Sequence, residues 1–315
     1  MTPRGRFAPS PTGDLRLGSA RTAILAWLWA RSEGGRFTLR VEDLDRPRVR
    51  PGLAERQLEE LAWLGLTWDE GPDPRTGNDL GPRGPYRQSQ RDALYEEALA
   101  ALGEHVYECF CSRAEIAAAS APHGPQDDGP RYPGICASLT AAQREARRRT
   151  RAPSLRLRVP RGPVKFVDEI QGAQELDPQT EVGDFVLRRA DGIFAYQLAV
   201  VVDDATMGVT QVLRGADLLP STARQILLYR LLGLAEPRWA HPGLVMSSSG
   251  ERLSKRDRAA SLSALRAQGR DPGEVVADLC AASGLPKLPG HGLADRVSGF
   301  ALHRIPRGPV TAPST

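Results

Sequence analysis

The first hundred residues alternate between the side-chain patterns of strands and helices. Residues 5–8 predict a short strand that runs into a Pro-rich turn, and residues 18–31 predict a helix that ends at two glycines. Residues 36–42 alternate with period two, which is typical of a half-buried strand, and residues 54–64 return to helical spacing. This order predicts an α/β fold in which a mainly parallel, doubly wound sheet carries helices on both faces. Ligands of such folds bind at the carboxyl ends of the strands.

The composition limits the class of protein. The chain has 315 residues, of which 41% are hydrophobic and 25% charged, and this globular balance excludes disorder and collagen. The most apolar run, residues 22–30, is shorter than the roughly 18 residues of a membrane span, and the first residues lack a signal-peptide pattern. We therefore expect a cytoplasmic protein without membrane contact. The net charge of +4 permits an anionic partner without requiring one.

Further elements are expected along the rest of the chain. Strands are predicted at residues 155–159, 185–188, 196–202 and 209–213. The strand at 196–202 rests on its continuous apolar run, which is typical of a strand covered on both faces. Residues 221–232 predict a helix capped by Ser221 or Thr222. The tail at 306–315 is punctuated by Pro and Gly, so we expect it to be frayed.

Three cysteines lie close together in the sequence. Cys109 and Cys111 are one residue apart, and Cys136 follows in the same stretch. A secreted disulfide scaffold would be shorter and richer in cysteine, so these thiols fit metal ligands or core residues. Zinc prefers four nitrogen or sulfur ligands in a closed structural site, so a fourth donor is required, and His123 is a candidate. We therefore interpret residues 105–153 as an insertion with its own metal-stabilised core.

Two segments have the composition of phosphate-binding loops. Residues 6–13 (RFAPSPTG) form a strand that breaks at two prolines, and the Gly within residues 15–19 (LRLGS) opens a helix whose N–H groups can point at phosphate. Residues 246–256 (MSSSGERLSKR) form a loop of small residues that ends in cationic side chains, which suit a developing phosphoryl charge. Taken singly, the first segment also fits an ordinary turn and the second a solvated basic loop.

Together these two segments resemble the two signature motifs of class I aminoacyl-tRNA synthetases. The octet at residues 6–13 is similar to that of the glutamyl/glutaminyl group, and residues 40–45, 196–204 and 213–217 match three further motifs of the group. The resemblance runs from about residue 4 to about residue 260. It implies a Rossmann-like catalytic domain with a zinc-bearing insertion, followed by a short, mainly helical C-terminal region.

The resemblance also implies roles for single residues. The expected glutamate contacts are Arg6, Ala8, Ser10, Glu42, Tyr196 and Arg214. Of these, the two arginines would pair with substrate carboxylates, the glutamate with the ammonium group, and the tyrosine would supply an oriented hydroxyl. The expected ATP contacts are Arg16, Gly18, Ser19, Leu253, Ser254 and Lys255. The expected catalytic residues are Lys255, Arg16 and Arg252.

Two positions depart from the pattern of the group. The first motif normally begins with His, and here Arg16 stands in that position. A guanidinium can supply charge and two donors there, but it is longer than an imidazole and cannot be neutral. The second motif normally begins with Lys, and here Arg252 stands there, while Lys255 is kept. One alternative is therefore a catalytically impaired descendant that still binds glutamate or tRNA.

The length separates two families within the group. Full glutamyl-tRNA synthetases continue well past the second motif into anticodon-binding domains, whereas about sixty residues follow Arg256 here. The chain therefore resembles the glutamyl-queuosine tRNA(Asp) synthetases, truncated paralogues that attach glutamate to the queuosine base at the wobble position of tRNA(Asp). Ser19, where full synthetases usually have the second His of the first motif, also fits these paralogues. An enzyme that charges tRNA(Glu) is the second alternative.

This closer resemblance implies partners and cofactors. We expect the substrates to be L-glutamate, ATP with Mg²⁺, and tRNA(Asp) carrying queuosine, and we expect a monomer. One structural zinc would be held by Cys109, Cys111, Tyr132 and Cys136. The resemblance thus gives the fourth position to Tyr132, with His123 as its competitor. The basic run at residues 144–151 is the candidate RNA contact.

We expect four regions along the chain, without an anticodon-binding domain. They are the first half of the catalytic domain (1–104), the zinc-binding insertion (105–153), the second half of the catalytic domain (154–235), and a C-terminal region with the second motif loop and short helices (236–315).

Overall fold

The computed structural model describes residues 2–119, 131–247, 250, 261–288 and 290–313. Its strands, in chain order, are β1 (Arg4–Phe7), β2 (Arg36–Leu39), β3 (Gly71–Pro72), β4 (Asp79–Leu80), β5 (Val106–Cys109), β6 (Ser154–Leu157), β7 (Val164–Asp168), β8 (Gly172–Leu176), β9 (Val186–Arg188), β10 (Gln211–Leu213), β11 (Arg238–Ala240), β12 (Val245–Met246) and β13 (Val310–Thr311).

Its α-helices are α1 (Leu17–Ser32), α2 (Leu53–Trp63), α3 (Asp92–Ala101), α4 (Arg113–Ala119), α5 (Ala141–Arg148), α6 (Pro178–Glu181), α7 (Tyr196–Thr206), α8 (Leu219–Leu231), α9 (Leu262–Ala267) and α10 (Pro272–Ala282). No helix in the described part of the chain combines the length and the apolar character that a membrane crossing requires.

Six strands form the central sheet, in the order β2-β1-β10-β11-β7-β8. Five of them run parallel, and β8 pairs antiparallel with β7 as a hairpin. The predicted α/β class with a mainly parallel sheet is therefore confirmed. Because β1 lies between β2 and β10, the sheet joins the start of the chain to residues some two hundred positions later. The carboxyl ends of these distant strands consequently meet at one edge.

Helices cover both faces of this sheet, as the sequence predicts. Successive residues of a strand point to opposite faces. Leu213 and Ala240 belong to an apolar cluster with α1, α2, α9 and α10, whereas their neighbours Val212 and Trp239 belong to a second cluster with α3, α7 and α8. The central strands are therefore buried on both sides, which is typical of parallel sheets.

The first strand–helix–strand unit is closed by a tight turn. After α1 ends, Gly34 adopts a positive φ of 65°. At Gly35, a Cβ atom would lie 2.6 Å from the carbonyl oxygen of Pro3, closer than any side chain allows. Glycine at this position lets β2 return directly beside β1, with Arg36 N donating to the same carbonyl at 2.9 Å.

A smaller antiparallel sheet lies beside the central one. It consists of β5, β6 and β9. A separate small core packs against it, formed by Tyr107, Cys109, Phe110, Ile116, Tyr132 and Cys136. Because β5 falls inside the expected insertion 105–153 whereas β6 and β9 follow it, the small sheet continues past the expected boundary. The division of the chain into regions stays a prediction.

The strand predicted at residues 196–202 is wrong. These residues begin α7, in which every residue from Gln197 to Asp204 is buried. A helix that is covered on all sides has no polar stripe to reveal its period of 3.6 residues. Its sequence therefore reads as a continuous apolar run, which periodicity cannot separate from a buried strand.

The predicted cap of the helix at residues 221–232 is also wrong. α8 begins at Leu219, with Pro220 in its first turn and no side-chain cap. Ser221 and Thr222 lie buried inside the helix, where their hydroxyl oxygens accept hydrogen bonds from Gln197 and Arg214. Proline is favoured in the first turn because the missing N–H would lack a helical partner in any case.

The C-terminal tail is ordered where the sequence predicts fraying. Val310 N donates to the Leu244 carbonyl at 2.8 Å, and Ala312 N donates to Met246 O at 2.8 Å. These bonds add β13 as a parallel neighbour of β12. Backbone pairing, which the Pro and Gly content does not reveal, fixes this part of the tail.

Candidate active site

A cavity of about 460 Å³ opens where four parallel strands of the central sheet end. Its walls are formed by the end of β1, by residues that follow β1, β2, β10 and β11, and by the first turn of α1. Nine of the residues singled out from the sequence line it, namely Arg6, Ala8, Ser10, Arg16, Gly18, Ser19, Glu42, Tyr196 and Arg214. The structure thus brings these side chains together at the edge where doubly wound sheets bind ligands.

The amino end of α1 gives one wall of the cavity an affinity for anions. Gly18 and Ser19 lie in the first turn, and Arg16 is the N-cap residue, with extended backbone and no side-chain cap. The first N–H groups of a helix have no partners within the helix, and the helix dipole favours negative charge beside them. Together with the Arg16 guanidinium, this wall is suited to phosphate.

Residues that flank the second motif in the sequence lie at the same cavity. Arg16 forms an isolated antiparallel bridge with Ser261, and Val245 lines the cavity from the other flank. The expected contacts Arg252, Leu253, Ser254 and Lys255 lie outside the described residues. Their roles therefore stay predictions.

Arg214 follows β10 directly and is buried against the cavity wall. Its guanidinium donates only to neutral acceptors, namely Gln225 Oε1 at 2.7 Å, Thr222 Oγ1 at 2.9 Å, His241 Nε2 at 3.1 Å, the Leu218 carbonyl at 3.3 Å and Tyr196 Oη at 3.4 Å. No acid among the described residues forms an ion pair with it. Burial consequently lowers the pKa of Arg214. A buried cation without a counter-ion favours an anionic ligand.

A second set of charges holds Arg6 and Glu42. Asp204, on α7, accepts a hydrogen bond from Arg40 Nη1 at 2.6 Å and lies 3.4 Å from Arg6 Nε. The other terminal nitrogen of Arg40 donates to Glu42 Oε1 at 3.0 Å. Arg40 is fully buried, so these charge-assisted bonds are shielded from solvent. Arg40 thus orients the predicted ammonium contact, Glu42, directly, and the predicted carboxylate contact, Arg6, through Asp204.

The acids in this set differ in how strongly they are ionised. Burial would raise the pKa of Asp204, but the nearby guanidinium groups of Arg40 and Arg6 outweigh burial and hold it below its ordinary value. Burial raises the pKa of Glu42, against the opposing effect of Arg40 and Arg6. The fixed negative charge therefore sits on Asp204, whereas a cationic ligand near Glu42 would favour ionisation of its carboxyl group.

Asp203, which also lies on α7, connects that helix to α3. It accepts hydrogen bonds from Arg91 Nε at 2.6 Å and from Gln88 Nε2 at 2.7 Å, and Tyr95 Oη lies 3.0 Å from it. The sequence motif at residues 196–204 ends in these two acids, but it does not by itself predict their partners. Adjacent carboxylates at the end of an apolar run are the signal that could have indicated a buried charge network.

A second and larger cavity, of about 1370 Å³, adjoins the first. Ser10, Glu42 and Tyr196 line both cavities, so the two share a wall. The larger cavity runs between the central sheet and the small antiparallel sheet, and its far wall includes Arg113 and Arg151.

The three cysteines converge in the small core. The sulfur atoms of Cys109, Cys111 and Cys136 all lie within 4.8 Å of one another, so they could bind a metal ion. Tyr132 Oη lies 3.3 Å from Cys109 Sγ and 3.9 Å from Cys111 Sγ. The same phenol oxygen accepts a hydrogen bond from Cys136 N at 2.9 Å, so it lies beside all three cysteines. The competing ligand His123 lies outside the described residues.

Comparisons with known proteins agree with this architecture. The family model for tRNA synthetases class I (E and Q), catalytic domain, matches residues 3–291. The chain therefore belongs to the class I tRNA synthetases of the E and Q group.

Two relatives show to which family within this group the chain belongs. The glutamyl-Q tRNA(Asp) synthetase of Symbiobacterium thermophilum is 53% identical, with 98% of this chain and 96% of that protein covered. The glutamyl-Q tRNA(Asp) synthetase of Nocardia farcinica is 49% identical, with 97% and 91% covered. The chain belongs to this family of glutamyl-Q tRNA(Asp) synthetases. The crystal structure of a glutamate-tRNA synthetase from Elizabethkingia anophelis matches with a TM-score of 0.84 at 28% identity, covering 100% of this chain and 68% of that one.

The buried network predicts a large effect of one carboxylate on stability. Asp204→Asn leaves Arg40 and Arg6 short of a buried counter-ion, so we expect the free energy of unfolding in urea to fall by about 3 kcal/mol. Asp191→Asn is the matched control, because Asp191 pairs with Arg189 at the same 2.6 Å but both side chains are exposed. Loss of this exposed ion pair should lower the free energy of unfolding by no more than about 1 kcal/mol. Equal effects of the two substitutions would contradict the network's importance.

Proposed function

We propose that this protein activates L-glutamate with ATP and transfers it to the queuosine base at the wobble position of tRNA(Asp). The observation that carries the proposal is the environment of Arg214, a buried guanidinium held by neutral acceptors in a cavity that also contains Glu42. A site with an uncompensated cation and a nearby carboxylate suits a ligand that has both an anionic and a cationic group. Glutamate is such a ligand.

The glutamate contacts follow from this charge pattern. Activation consumes the charge of the α-carboxylate, so the side-chain carboxylate is the anion that persists through the reaction. Arg214 suits this group, because its longest hydrogen bonds, to the Leu218 carbonyl and Tyr196 Oη, can be exchanged for carboxylate oxygens. Glu42 would accept from the ammonium group, and Arg6 would face the α-carboxylate before activation. Ala8 and Ser10 complete the pocket.

The first step is attack of the glutamate α-carboxylate on the α-phosphorus of ATP, which releases pyrophosphate and gives glutamyl-adenylate. Positioning and charge stabilisation supply most of such catalysis. Gly18 and Ser19 would hold phosphate at the amino end of α1, with Arg16 adding charge where the group usually has His. The remaining proposed contacts are Arg252, Leu253, Ser254 and Lys255. Mg²⁺ bound with ATP would neutralise phosphate charge.

The second step is attack of a hydroxyl of the queuosine cyclopentenediol on the activated carbonyl, with AMP as the leaving group. No protein nucleophile is needed, since the adenylate is already activated. The larger cavity supports this step because it shares Ser10, Glu42 and Tyr196 with the proposed glutamate site. The names of the relatives support tRNA(Asp) as the acceptor. We also propose that the protein is a monomer located in the cytoplasm.

An exposed basic helix supports RNA as the partner. None of the residues of α5 is buried: Arg147 is exposed, Arg144 is half-buried, and the exposed Arg148 pairs with Glu108 at 2.8 Å. A capping box fixes the start of this helix, in which Thr140 Oγ1 accepts from Gln143 N at 3.3 Å. Arg151, just beyond the helix, lines the larger cavity. We propose that this surface binds tRNA phosphates, which makes transfer more sensitive to salt than activation is.

A structural zinc is the proposed role of the cysteine cluster. Three thiolates and the Tyr132 phenolate would give a closed, four-coordinate site. Such a site has a net negative charge, and the Arg156 guanidinium, 3.8 Å from the centre of the Tyr132 ring, would offset part of it. When bound, zinc would join the stretch after β5 to the segment around Cys136 and so stabilise the 105–153 region.

Two alternative functions differ in measurable ways. A catalytically impaired descendant would bind glutamate or tRNA without forming the adenylate, and the substitution at Arg16 motivates this alternative. A tRNA(Glu)-charging enzyme would activate glutamate but use another acceptor. The relatives from S. thermophilum and N. farcinica, at 53% and 49% identity, are both named glutamyl-Q tRNA(Asp) synthetases, which favours the proposed acceptor.

The activity can be tested in two assays. We expect glutamate to support ATP–pyrophosphate exchange without tRNA, and labelled glutamate to be transferred to tRNA(Asp) with queuosine but not to tRNA(Asp) without it or to tRNA(Glu). Arg214→Gln should lower exchange by about 100-fold or more, because it removes the buried cation that would pair with the side-chain carboxylate of glutamate. Arg238→Gln is the control, since Arg238 pairs with Glu33 and Glu169 and does not line the cavity. Absence of exchange at every glutamate concentration would favour the impaired descendant.

The metal proposal predicts about one zinc per chain in the purified protein. Cys136→Ser should lose the zinc and make the 105–153 region more sensitive to protease. Cys280→Ser is the control, because Cys280 is buried on α10 and far from the cluster in sequence. Metal-free protein that resists protease as the loaded form does would contradict the proposal.

A further inference from the structure

Arg214 rests on a buried pair of residues that does not line the cavity. His241 follows the last residue of β11, and Asp168 is the last residue of β7. The two strands are neighbours, with Trp239 opposite Asp168. His241 Nδ1 lies 2.6 Å from Asp168 Oδ2, and both side chains are fully buried. A chain of contacts therefore leads from Asp168 through His241 to Arg214.

The hydrogen-bond partners fix the tautomer of His241. Arg214 Nε lies 3.1 Å from His241 Nε2, and a guanidinium can only donate, so Nε2 must be the accepting nitrogen. The ring proton is therefore on Nδ1, where it is donated to Asp168 Oδ2. Burial and the nearby charge of Arg214 lower the pKa of His241 to about 4, in spite of Asp168, so the ring is neutral at neutral pH.

Asp168 is itself held in place by the backbone. Its Oδ1 atom accepts from Gln171 N at 2.8 Å, Ile170 N at 3.0 Å and His241 N at 3.2 Å. These bonds leave Oδ2 for the imidazole. They also allow the carboxylate to stay ionised while buried, since burial alone would raise the pKa of Asp168 but the hydrogen bonds bring it below its ordinary value.

The Asp168–His241 pair orients Arg214 without neutralising its charge, which a carboxylate bonded directly to the guanidinium could not do. A carboxylate against the guanidinium would orient it but also neutralise it, as Asp204 does for Arg40. A neutral imidazole orients the Nε edge and leaves the positive charge available to a ligand. The pair also makes the opposite tautomer unfavourable, in which a Nε2 proton would point at the Nε proton of Arg214.

We propose that Asp168 and His241 are positioning residues for Arg214, which fix its guanidinium for the side-chain carboxylate of glutamate without neutralising it. The inference rests on the proposed function of Arg214. Asp168 and His241 are far apart in the sequence, and no local motif identifies either of them. Neither residue touches the substrate.

The decisive variant is Asp168→Asn. The amide keeps an oxygen for the three backbone N–H groups and presents its NH₂ group to Nδ1, so the ring proton moves to Nε2 and repels Arg214. We expect the KM and the calorimetric Kd for glutamate to rise about 10- to 100-fold, with the KM for ATP unchanged. His241→Leu removes the acceptor and should give the same defect. His241→Gln keeps an oxygen near the Nε2 position and should recover most of the affinity.

Two measurements separate positioning from a merely structural role. Nitrogen-15 NMR of the imidazole should report Nδ1–H in the natural protein and Nε2–H in Asp168→Asn. In the double variant Asp168→Asn/His241→Leu, the effects on glutamate binding should not add, because both substitutions break the same chain of contacts. Asp69→Asn is the control: Asp69 likewise accepts a backbone N–H, from Phe37 at 2.7 Å, but its side-chain partner is Arg31 and not His241.

The outcomes also separate this inference from the proposed function. If the natural protein binds glutamate and Asp168→Asn binds it equally well, the inference is wrong and the proposed function stands. If equal losses of ATP and glutamate affinity accompany Asp168→Asn, the pair is structural and the inference is wrong. If the natural protein does not bind glutamate, the proposed function fails first, whatever tautomer the imidazole has.

Discussion

Parallel pairing of β2, β1, β10 and β11 is the constraint on which the site depends. Strands that run in one direction end at one edge, so segments that are far apart in sequence meet there. Arg6 comes from β1, Glu42 from the segment after β2, Arg214 from the residue after β10, and His241 from the residue after β11. A slip in this pairing would separate the charges that make the cavity selective.

The arginines around the cavity are of two kinds. Arg40 is matched by acids, chiefly Asp204, and its role is to fix the elements and the side chains beside it. Arg214 is surrounded by neutral acceptors, and its charge stays available. Burying a charge without a partner is costly, so such an arrangement makes sense where a ligand completes it. The contrast between the two environments indicates which arginine serves the fold and which serves the ligand.

Local patterns in the sequence predict the α/β class, the first helix and three strands of the central sheet, β1, β2 and β10, because each of these depends on a short segment. The strands β7, β8 and β11 are not predicted, and most of the lining residues follow from the family resemblance. Tyr196 was recognised by motif although its segment was wrongly predicted as a strand, since a helix buried on all sides has no polar face. His241 and Asp168 escaped detection because their contact depends on the pairing of β11 with β7. The ordered tail escaped for the same reason, as its backbone bonds to β12 leave no mark in side-chain composition.

The most direct measurement is a crystal structure of the protein with a stable sulfamoyl analogue of glutamyl-adenylate. We expect the side-chain carboxylate against the Arg214 guanidinium in place of its bonds to Leu218 O and Tyr196 Oη, with the His241 contact kept and the ammonium group beside Glu42. An analogue whose carboxylate lies elsewhere, with every bond of Arg214 unchanged, would contradict the account.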